Sequence, residues 1–448
     1  MARTVPAPVC IVGAGSSGIA TCQVLKARGI PFDCFEKGSG VGGNWRYMND
    51  NGMSSAYRSL FINTSRELMA YGALPMPEEL PDYPHHTQIA RYFDDFVDHF
   101  GFRDDIRFGT EVVRVEPADP GDRGASGWRV TLDDGTTHLY AAVFVANGHH
   151  WNARWPDFPG EFHGEAIHSH DYKTPDGFQD ANVLVVGFGN SATDIACETS
   201  RVSRMTYLAV RRGAHVVPKY IKGKPTDQLS SPLTTRLPMA VQRALYKRLL
   251  KTVQGEMEDY GLPTPDHKLA EAHPTISAEL LDRIGHGRVT PKPNVERLMG
   301  DRVRFVDGTE EAIDRIVYAT GYRITFPFLD PGLIGGGDDN RVALYRRVVP
   351  PDLRGLYFIG LLQPLGAIMP LAEAQSEWIA DVLEGSVALP SPDEMRRAIE
   401  RDDQRMRKRY VRSPRHTIQV DFYPYLRGIA RERRRRRSPR TADAGVAQ

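Results

Sequence analysis

The first apolar run of the chain is followed by small residues and then by apolar residues at helical spacing. In "VCIVGAGSSGIATCQVLKARG" (9–29), this order predicts a strand, a tight turn at Gly13, Gly15 and Gly18, and a helix. The next apolar run, "PFDCFEK", predicts a second strand that ends at Glu36. Such glycines let the backbone approach a pyrophosphate, and an acid at this distance suits a ribose hydroxyl. The pattern predicts a dinucleotide site, with an ordinary strand–helix turn as the alternative.

The same pattern recurs at "NVLVVGFGNSATDIACETS" (182–200), with Gly187, Gly189 and Ala192 in the turn. The strand that follows ends in Arg211 and Arg212, where the first half has an acid. An arginine pair suits the 2′-phosphate of NADP, because each charge-assisted hydrogen bond contributes roughly 1.5–3 kcal/mol. A solvated arginine pair at a strand end is the alternative. Two dinucleotides, one favoured by an acid and one by arginines, indicate FAD plus NADPH.

A longer parallel indicates that one unit occurs twice. The segments "VTLDDGTTHLYAAVFVANG" (130–148) and "VRFVDGTEEAIDRIVYATG" (303–321) align without a gap, and each has an Asp-Gly hairpin signal before an apolar strand. After Gly321 the chain returns with another buried strand and a helix. We expect an α/β fold of two Rossmann-like doubly wound domains, the second inserted into the first.

The predicted domain limits follow from this repeat. We expect the FAD-binding domain at 1–165, the NADP-binding domain at 166–325, a return to the FAD domain at 326–430, and a basic disordered tail at 431–448. The tail contains five consecutive arginines, which repel one another.

Composition narrows the function classes. The chain has 448 residues, 41% of them hydrophobic and 25% charged, with a net charge of +1, so no global field attracts nucleic acid or anionic lipid. The four cysteines form no C-x-x-C pair, which argues against a disulfide reductase and fits a reducing cytosol. No apolar run reaches the roughly 18 residues that a membrane span needs. We expect a cytoplasmic protein without a membrane anchor.

The stretch "FHGEAIHSHDY" (162–172) lies between the two units. Its histidines, together with His149 and His150, resemble metal ligands, but a cysteine or a closed four-ligand spacing is missing. We therefore expect a packed linker and no metal site.

Phe162, Gly164, His168 and Tyr172 fit the pattern F-x-G-x-x-x-H-x-x-x-Y. This fingerprint resembles that of the flavin-containing monooxygenases, which belong to the class B flavoprotein monooxygenases. The segments "GVGGNW", "INTSRE", "VGFGNSATDIA", "YATGY" and "QPLGAIMP" are also similar to that family, in the same order and along most of the chain.

The resemblance implies an FAD- and NADPH-dependent enzyme. NADPH would reduce the flavin, O2 would add to it as a 4a-hydroperoxide, and a nucleophilic nitrogen or sulfur of a small molecule would take the distal oxygen. Asn63 matches an asparagine of the family, and the resemblance implies that its side-chain amide is the catalytic group. From the residues alone, Thr64-x-x-Glu67 is a capping box that Asn63 merely precedes.

The residues predicted to bind the two cofactors come from both units. They are Gly13, Gly15, Ser17, Gly18, Glu36, Asn44, Trp45, Ile62, Asn63, Thr64, Gly187, Gly189, Ser191, Asp194, Arg211, Arg212, Thr320 and Gln363. Asn44 and Trp45 also suit a glycine loop with a core tryptophan, Ser191 and Asp194 suit an ordinary helix start, and Thr320 suits a strand end.

Rival functions stay open on the sequence alone. Baeyer–Villiger monooxygenases share the cofactors, but their fingerprint ends in Trp followed by Pro or Asp, whereas this one ends in Tyr172–Lys173. An uncoupled NADPH oxidase and a non-catalytic flavin sensor share the cofactor sites. The family also implies a homodimer.

Overall fold

The computed structural model describes residues 8–230, 238–269, 271–334, 339–409 and 417–435. In chain order, the α-helices are α1 (Ser16–Arg28), α2 (Arg66–Met69), α3 (His86–Phe100), α4 (Asn190–Thr199), α5 (Met239–Gln254), α6 (Leu280–Gly285), α7 (Pro331–Ile334), α8 (Met369–Leu383), α9 (Pro392–Arg409) and α10 (Phe422–Glu432).

The strands before and within the linker are β1 (Val9–Val12), β2 (Phe32–Phe35), β3 (Ile106–Arg107), β4 (Val112–Pro117), β5 (Trp128–Leu132), β6 (Thr137–Tyr140), β7 (Ala142–Val145), β8 (Asn152–Ala153), β9 (Gly160–Phe162) and β10 (Glu165–His168). Those that follow are β11 (Asn182–Val186), β12 (Met205–Ala209), β13 (Val216–Val217), β14 (Tyr220–Ile221), β15 (Lys224–Pro225), β16 (Thr275–Ile276), β17 (Val289–Lys292), β18 (Val295–Gly300), β19 (Arg302–Phe305), β20 (Glu310–Ala312), β21 (Arg315–Tyr318), β22 (Tyr322–Arg323), β23 (Leu356–Phe358), β24 (Gln363–Leu365) and β25 (Gln419–Asp421).

The first unit is built on a parallel sheet with the strand order β23-β7-β1-β2-β3. β1, β7 and β23 are apolar and buried along their length because helices and loops cover both faces of the sheet. α1 packs against α8, and the aromatic side chains of Phe93, Phe96 and Trp378 fill this side of the core. Trp128 and Phe358 belong to the core on the other face.

The second unit repeats this plan. Its parallel sheet has the order β10-β21-β11-β12-β17. All its strands lie between β7 and β23 in sequence, so the first sheet is completed only after the chain has left the second. The predicted α/β class with two Rossmann-like units is confirmed.

Both predicted Asp-Gly hairpins are present, between β5 and β6 and between β19 and β20. They belong to small antiparallel sheets beside the two parallel ones. β9 pairs with β18 of the second unit, ahead of the boundary expected at residue 166. The domain limits stay a prediction.

The basic tail begins later than the sequence predicts. α10 continues to Glu432, and Arg433 forms ion pairs with Glu377 and with Asp381, the latter at 2.6 Å. The prediction of disorder is therefore wrong for residues 431–435, because acids on α8 compensate the arginine charge. Residues 436–448 lie outside the described part of the chain. Among the described helices, none has the length and apolarity that crossing a bilayer requires.

Candidate functional site

A cleft of about 1560 Å³ lies between the two units. The segments that follow β1, β7, β11 and β21 all contribute to its lining. The carboxyl ends of both parallel sheets therefore face one cleft, which is where open α/β sheets bind their ligands. Every residue predicted to bind a cofactor lines this cleft except Gly18 and Asp194.

The first glycine turn opens the N-terminus of α1 to the cleft. Gly13 has a φ of +97°, which favours glycine, and a Cβ at Gly18 would lie 1.8 Å from the carbonyl oxygen of Gly13. Gly18 thus serves the close packing of helix and strand rather than the cleft. Gly15 caps α1 without a side-chain hydrogen bond, which leaves the first backbone amides of the helix for an anion. This turn fits a pyrophosphate.

Glu36 is fixed at the end of β2. Its Oε2 accepts a hydrogen bond from the backbone amide of Ala14 at 2.7 Å, and its Oε1 accepts from the amide of Gly38 and from Asn51 Nδ2. The carboxylate is therefore oriented at the cleft, beside the glycine turn. Its position fits an acceptor for ribose hydroxyls.

The loop with Asn44 and Trp45 approaches the same turn. Gly43 has a φ of +52°, and a Cβ there would lie 3.1 Å from the Cα of Gly15, so the two loops nearly touch. Asn44 Oδ1 accepts from the backbone amide and the hydroxyl of Ser55, at 2.8 and 2.7 Å. The amide group is held by the neighbouring loop at the wall of the cleft.

Ile62, Asn63 and Thr64 line the cleft next to α2. The capping box expected from Thr64 and Glu67 is not formed. α2 begins after Ser65 without a side-chain cap, the Thr64 hydroxyl donates to the carbonyl oxygen of Gly366 at 3.5 Å, and Glu67 accepts from Gln228. This expectation was wrong because residues distant in sequence take both side chains.

The second glycine turn repeats the first. Gly187 has a φ of +133°, and a Cβ there would lie 2.5 Å from the carbonyl oxygen of Ala319. Gly189 caps α4 without a side-chain hydrogen bond, and Ser191 faces the cleft from the first turn of α4. The backbone amides at this helix N-terminus fit a second pyrophosphate.

Asp194 does not reach the cleft. Its Oδ2 accepts a hydrogen bond from the Tyr57 hydroxyl at 2.5 Å, and burial raises the pKa of the carboxyl to about 6. The expected direct contact between Asp194 and a dinucleotide is therefore not supported. Asp194 of the second unit instead binds Tyr57 of the first unit.

Arg211 and Arg212 follow β12 and are exposed at the cleft. Arg212 Nε lies 2.7 Å from Asp266 Oδ2, an ion pair at the surface. Both guanidinium groups belong to the end of the cleft that the second glycine turn forms, which suits the 2′-phosphate of NADP.

Thr320 and Gln363 also line the cleft. The Thr320 hydroxyl donates to the carbonyl oxygen of Arg154 at 2.6 Å, so it ties the segment after β21 to the segment after β8. The backbone amide of Gln363 donates to the carbonyl oxygen of Ile418 at 2.9 Å in the pairing of β24 with β25.

The family model of flavin-binding monooxygenase-like proteins matches residues 7–436. The chain belongs to this family. The predicted resemblance is confirmed, and the chain is an FAD- and NADPH-dependent monooxygenase, an oxidoreductase. The two helix N-termini, the acid at one end of the cleft and the arginines at the other fit these two cofactors.

Named relatives agree with this family. Flavin-containing monooxygenase 5 of Cavia porcellus is 37% identical over 440 residues, which cover 94% of this chain and 82% of the relative. Dimethylaniline monooxygenase (N-oxide-forming) 2 of Mus musculus is 35% identical over 443 residues, covering 95% and 82%.

Solved structures of flavin-dependent and related monooxygenases share the fold of this chain. S-allyl-L-cysteine S-oxygenase from Allium sativum is similar with a TM-score of 0.71 and 27% identity, covering 95% of this chain and 88% of that one. The open crystal structure of cyclohexanone monooxygenase has a TM-score of 0.70, covering 95% and 97%. At 17% identity, it shows the shared fold alone.

The fingerprint of this flavin-binding monooxygenase-like chain is a packed linker. His168 is buried at the end of β10, its Nδ1 accepts from the backbone amide of His170 at 3.1 Å, and burial lowers the pKa of the imidazole to about 4. Lys173 Nζ donates to the carbonyl oxygens of Ser54, Ala56 and His170. Across the described ranges, no three His, Cys, Asp or Glu side chains are grouped as a metal site would require.

Sequence reasoning missed Tyr57, which lines the cleft, and Lys219, which does not. Lys219 Nζ donates to the carbonyl oxygen of Ile62 at 3.1 Å. Tyr57 lies just ahead of the "INTSRE" motif, and that proximity is the signal that could have drawn attention to it.

Proposed function

We propose that this enzyme transfers one oxygen atom of O2 to nucleophilic nitrogen or sulfur atoms of small molecules. The observation that carries the proposal is the position of Asn63 in the cleft that both glycine turns share. Relatives named for N-oxide formation and S-oxygenation support the substrate class.

The chain would supply binding and orientation, while the reduced flavin supplies the activated oxygen. FAD would lie along Gly13, Gly15, Ser17 and Glu36, with Asn44 and Trp45 beside it. An amide both donates and accepts hydrogen bonds, so Asn63 suits a role between the flavin and the nicotinamide.

NADPH would bind at the second turn. The amides after Gly187 and Gly189, with Ser191, suit its pyrophosphate, and Arg211 and Arg212 suit its 2′-phosphate. Thr320, between the two dinucleotide positions, and Gln363, on the flavin side, would complete the contacts.

The end of the fingerprint favours heteroatom oxidation over ketone oxidation. The Tyr172 hydroxyl donates to Glu198 Oε2 at 2.9 Å. The Baeyer–Villiger pattern has Trp at this position, and its indole ring has no hydroxyl group to make this bond. Lys173, where that pattern has Pro or Asp, binds three carbonyl oxygens of the linker and the first unit.

The test is a turnover assay of the purified flavoprotein with NADPH and either an amine, a sulfide or a cyclic ketone. NADPH consumption, oxygenated product and hydrogen peroxide are measured together. Product equal to NADPH with the sulfide or the amine supports the proposal. Preferred ketone oxidation means a Baeyer–Villiger enzyme, peroxide alone means an NADPH oxidase, and an absence of NADPH consumption means a sensor.

The Asn63→Asp variant tests the proposed catalytic amide. We expect its product per NADPH to fall by about tenfold or more, since a carboxylate no longer donates where the amide does. Its flavin content should equal that of the wild type. An unchanged ratio of product to NADPH would remove Asn63 from the mechanism.

We also propose a cytoplasmic location and a homodimer. The four cysteines are buried and unpaired, as expected in a reducing compartment. Light scattering of the purified enzyme tests the dimer, and fractionation of expressing cells tests the location.

A further inference from the structure

The segment that carries Asn63 belongs to the first unit, yet side chains of the second unit hold it at several points. At its start, the Tyr57 hydroxyl donates to Asp194 Oδ2 at 2.5 Å. Asp194 lies on α4, the helix that follows the second glycine turn. The start of the Asn63 segment is therefore attached to the helix whose N-terminus faces the NADP end of the cleft.

The two peptide groups on either side of Asn63 and Thr64 are also bound by the second unit. Lys219 Nζ donates to the carbonyl oxygen of Ile62 at 3.1 Å. Asp227 Oδ2 accepts from the backbone amide of Ser65 at 2.6 Å. The backbone is thus held one residue before Asn63 by the Lys219 ammonium and two residues after it by the Asp227 carboxylate. Both side chains follow β13 in the second unit.

The surroundings keep these two side chains in place. The Tyr83 hydroxyl donates to the carbonyl oxygen of Lys219 at 2.6 Å, and the Lys219 ammonium lies 4.9 Å from the centre of the Tyr83 ring. Gln228, next to Asp227, donates to the Ser65 hydroxyl and to Glu67. Further contacts therefore hold the residues on both sides of the contact between the segments.

Asp194, Lys219 and Asp227 do not line the cleft. They have no direct access to a substrate or to a cofactor bound there, so any effect they have on the reaction must pass through the residues that they hold. The Lys219 charge also acts on Asp194, lowering the pKa that burial raises. Lys219 is thus linked electrostatically to Asp194 and by a hydrogen bond to the Ile62 carbonyl oxygen.

We propose that Asp194, Lys219 and Asp227 are positioning residues that fix Asn63 relative to the NADP-binding unit. Through them, the transfer of oxygen to substrate depends on how the second unit is seated against the first. This inference rests on the proposed role of Asn63. It predicts that loss of these contacts releases reducing equivalents as hydrogen peroxide instead of product.

The experiment compares paired variants of the full-length flavoprotein. Lys219→Met and Asp227→Leu remove the bonds to the Ile62 carbonyl and the Ser65 amide, while Lys219→Arg and Asp227→Asn keep a donor or an acceptor. We expect the amount of product per NADPH to fall by about tenfold in Lys219→Met and Asp227→Leu, because the loss of one charge-assisted hydrogen bond changes an equilibrium by about this factor. Peroxide should rise correspondingly. In Lys219→Arg and Asp227→Asn the ratio should largely recover.

Tyr207→Phe is the matched control. It removes a bond of the same kind within the second unit, from the Tyr207 hydroxyl to Glu311 Oε2 at 3.0 Å, and neither residue lines the cleft. Its ratio of product to NADPH should equal that of the wild type. Tyr57→Phe, which breaks the bond to Asp194, should behave like Lys219→Met.

A double-mutant cycle separates positioning from general stability. In the Asn63→Asp background, Lys219→Met should cause no further loss of product per NADPH. A full additional loss there, or a Lys219→Met variant that changes only the melting temperature, would overturn the inference. If Asn63→Asp lowers the ratio and Lys219→Met does not, the inference fails and the proposed function stands. If Asn63→Asp itself leaves the ratio unchanged, the proposed role of Asn63 and this inference both fail, whereas the proposed oxygen transfer is decided by the turnover assay of the wild type.

Discussion

Acidification should destabilise the enzyme through one buried histidine of the linker. His168 is fully buried at the end of β10, and its Nδ1 accepts a hydrogen bond from the backbone amide of His170. Burial is the main cause that lowers the pKa of its imidazole from 6.5 to about 4. The nearby charge of Asp171 opposes this effect, and His170 adds to it.

The magnitude follows from the two pKa values. Between pH 6.5 and pH 4, the unfolded chain binds a proton at His168 that the folded chain does not. The neutral imidazole therefore contributes stability that is fully present above pH 6.5 and is lost as the pH falls through this window. The gap corresponds to about 3 kcal/mol in the free energy of unfolding.

Urea denaturation of the flavin-bound wild type and of His168→Gln, from pH 7.5 to pH 4.5, measures this contribution. The glutamine cannot bind the proton, so the variant should lose about 2 to 3 kcal/mol less on acidification. His163→Gln is the control, because His163 is exposed five positions earlier in the same segment. A difference between wild type and His168→Gln that stays constant with pH would refute the reasoning.

Three further predictions concern the two glycine turns and their surroundings. Gly18→Ala places a methyl group 1.8 Å from the Gly13 carbonyl oxygen, so the flavin-to-protein absorbance ratio should fall at least about tenfold. Gly285→Ala is the control, because its Cβ meets open space, and it should retain flavin. Arg211→Ala should raise KM for NADPH about tenfold and leave KM for NADH unchanged in steady-state assays. A folded pKa of about 6 at Asp194, above the ordinary 3.8, means that its stabilising contribution is lost as pH rises through 6. Relative to the wild type, Asp194→Asn should therefore gain about 2 kcal/mol of unfolding free energy between pH 4 and pH 7, once the partial exposure of the side chain is allowed for.

The sequence was sufficient for the local parts of this protein. A strand, a glycine turn and a helix are specified by neighbouring residues, because the apolar period and the backbone freedom of glycine act over a few positions. The two turns at Gly13 and Gly187, the acid at Glu36, the arginines at 211 and 212 and both Asp-Gly hairpins were therefore found from the sequence. The linker fingerprint was found in the same way.

Contacts between distant segments were decided only by the tertiary structure. Tyr57 lies 137 positions from Asp194, and Ser65 lies 162 positions from Asp227. No local sequence pattern predicts such a pair, because the partner of each side chain depends on which residues lie next to it after the two units have packed together. For the same reason, local spacing led to Asp194 as a cofactor ligand, to Arg433 as part of a disordered tail and, as the alternative to a cofactor contact of Thr64, to a capping box with Glu67.

The sequence by itself thus determined which dinucleotide-binding elements this enzyme has, because their chemistry is carried by short motifs. The tertiary structure decided how the two units meet and which side chains of one hold the active segment of the other. Burial and pairing of charge at that contact depend on the packing of both sheets, and no single segment contains this information.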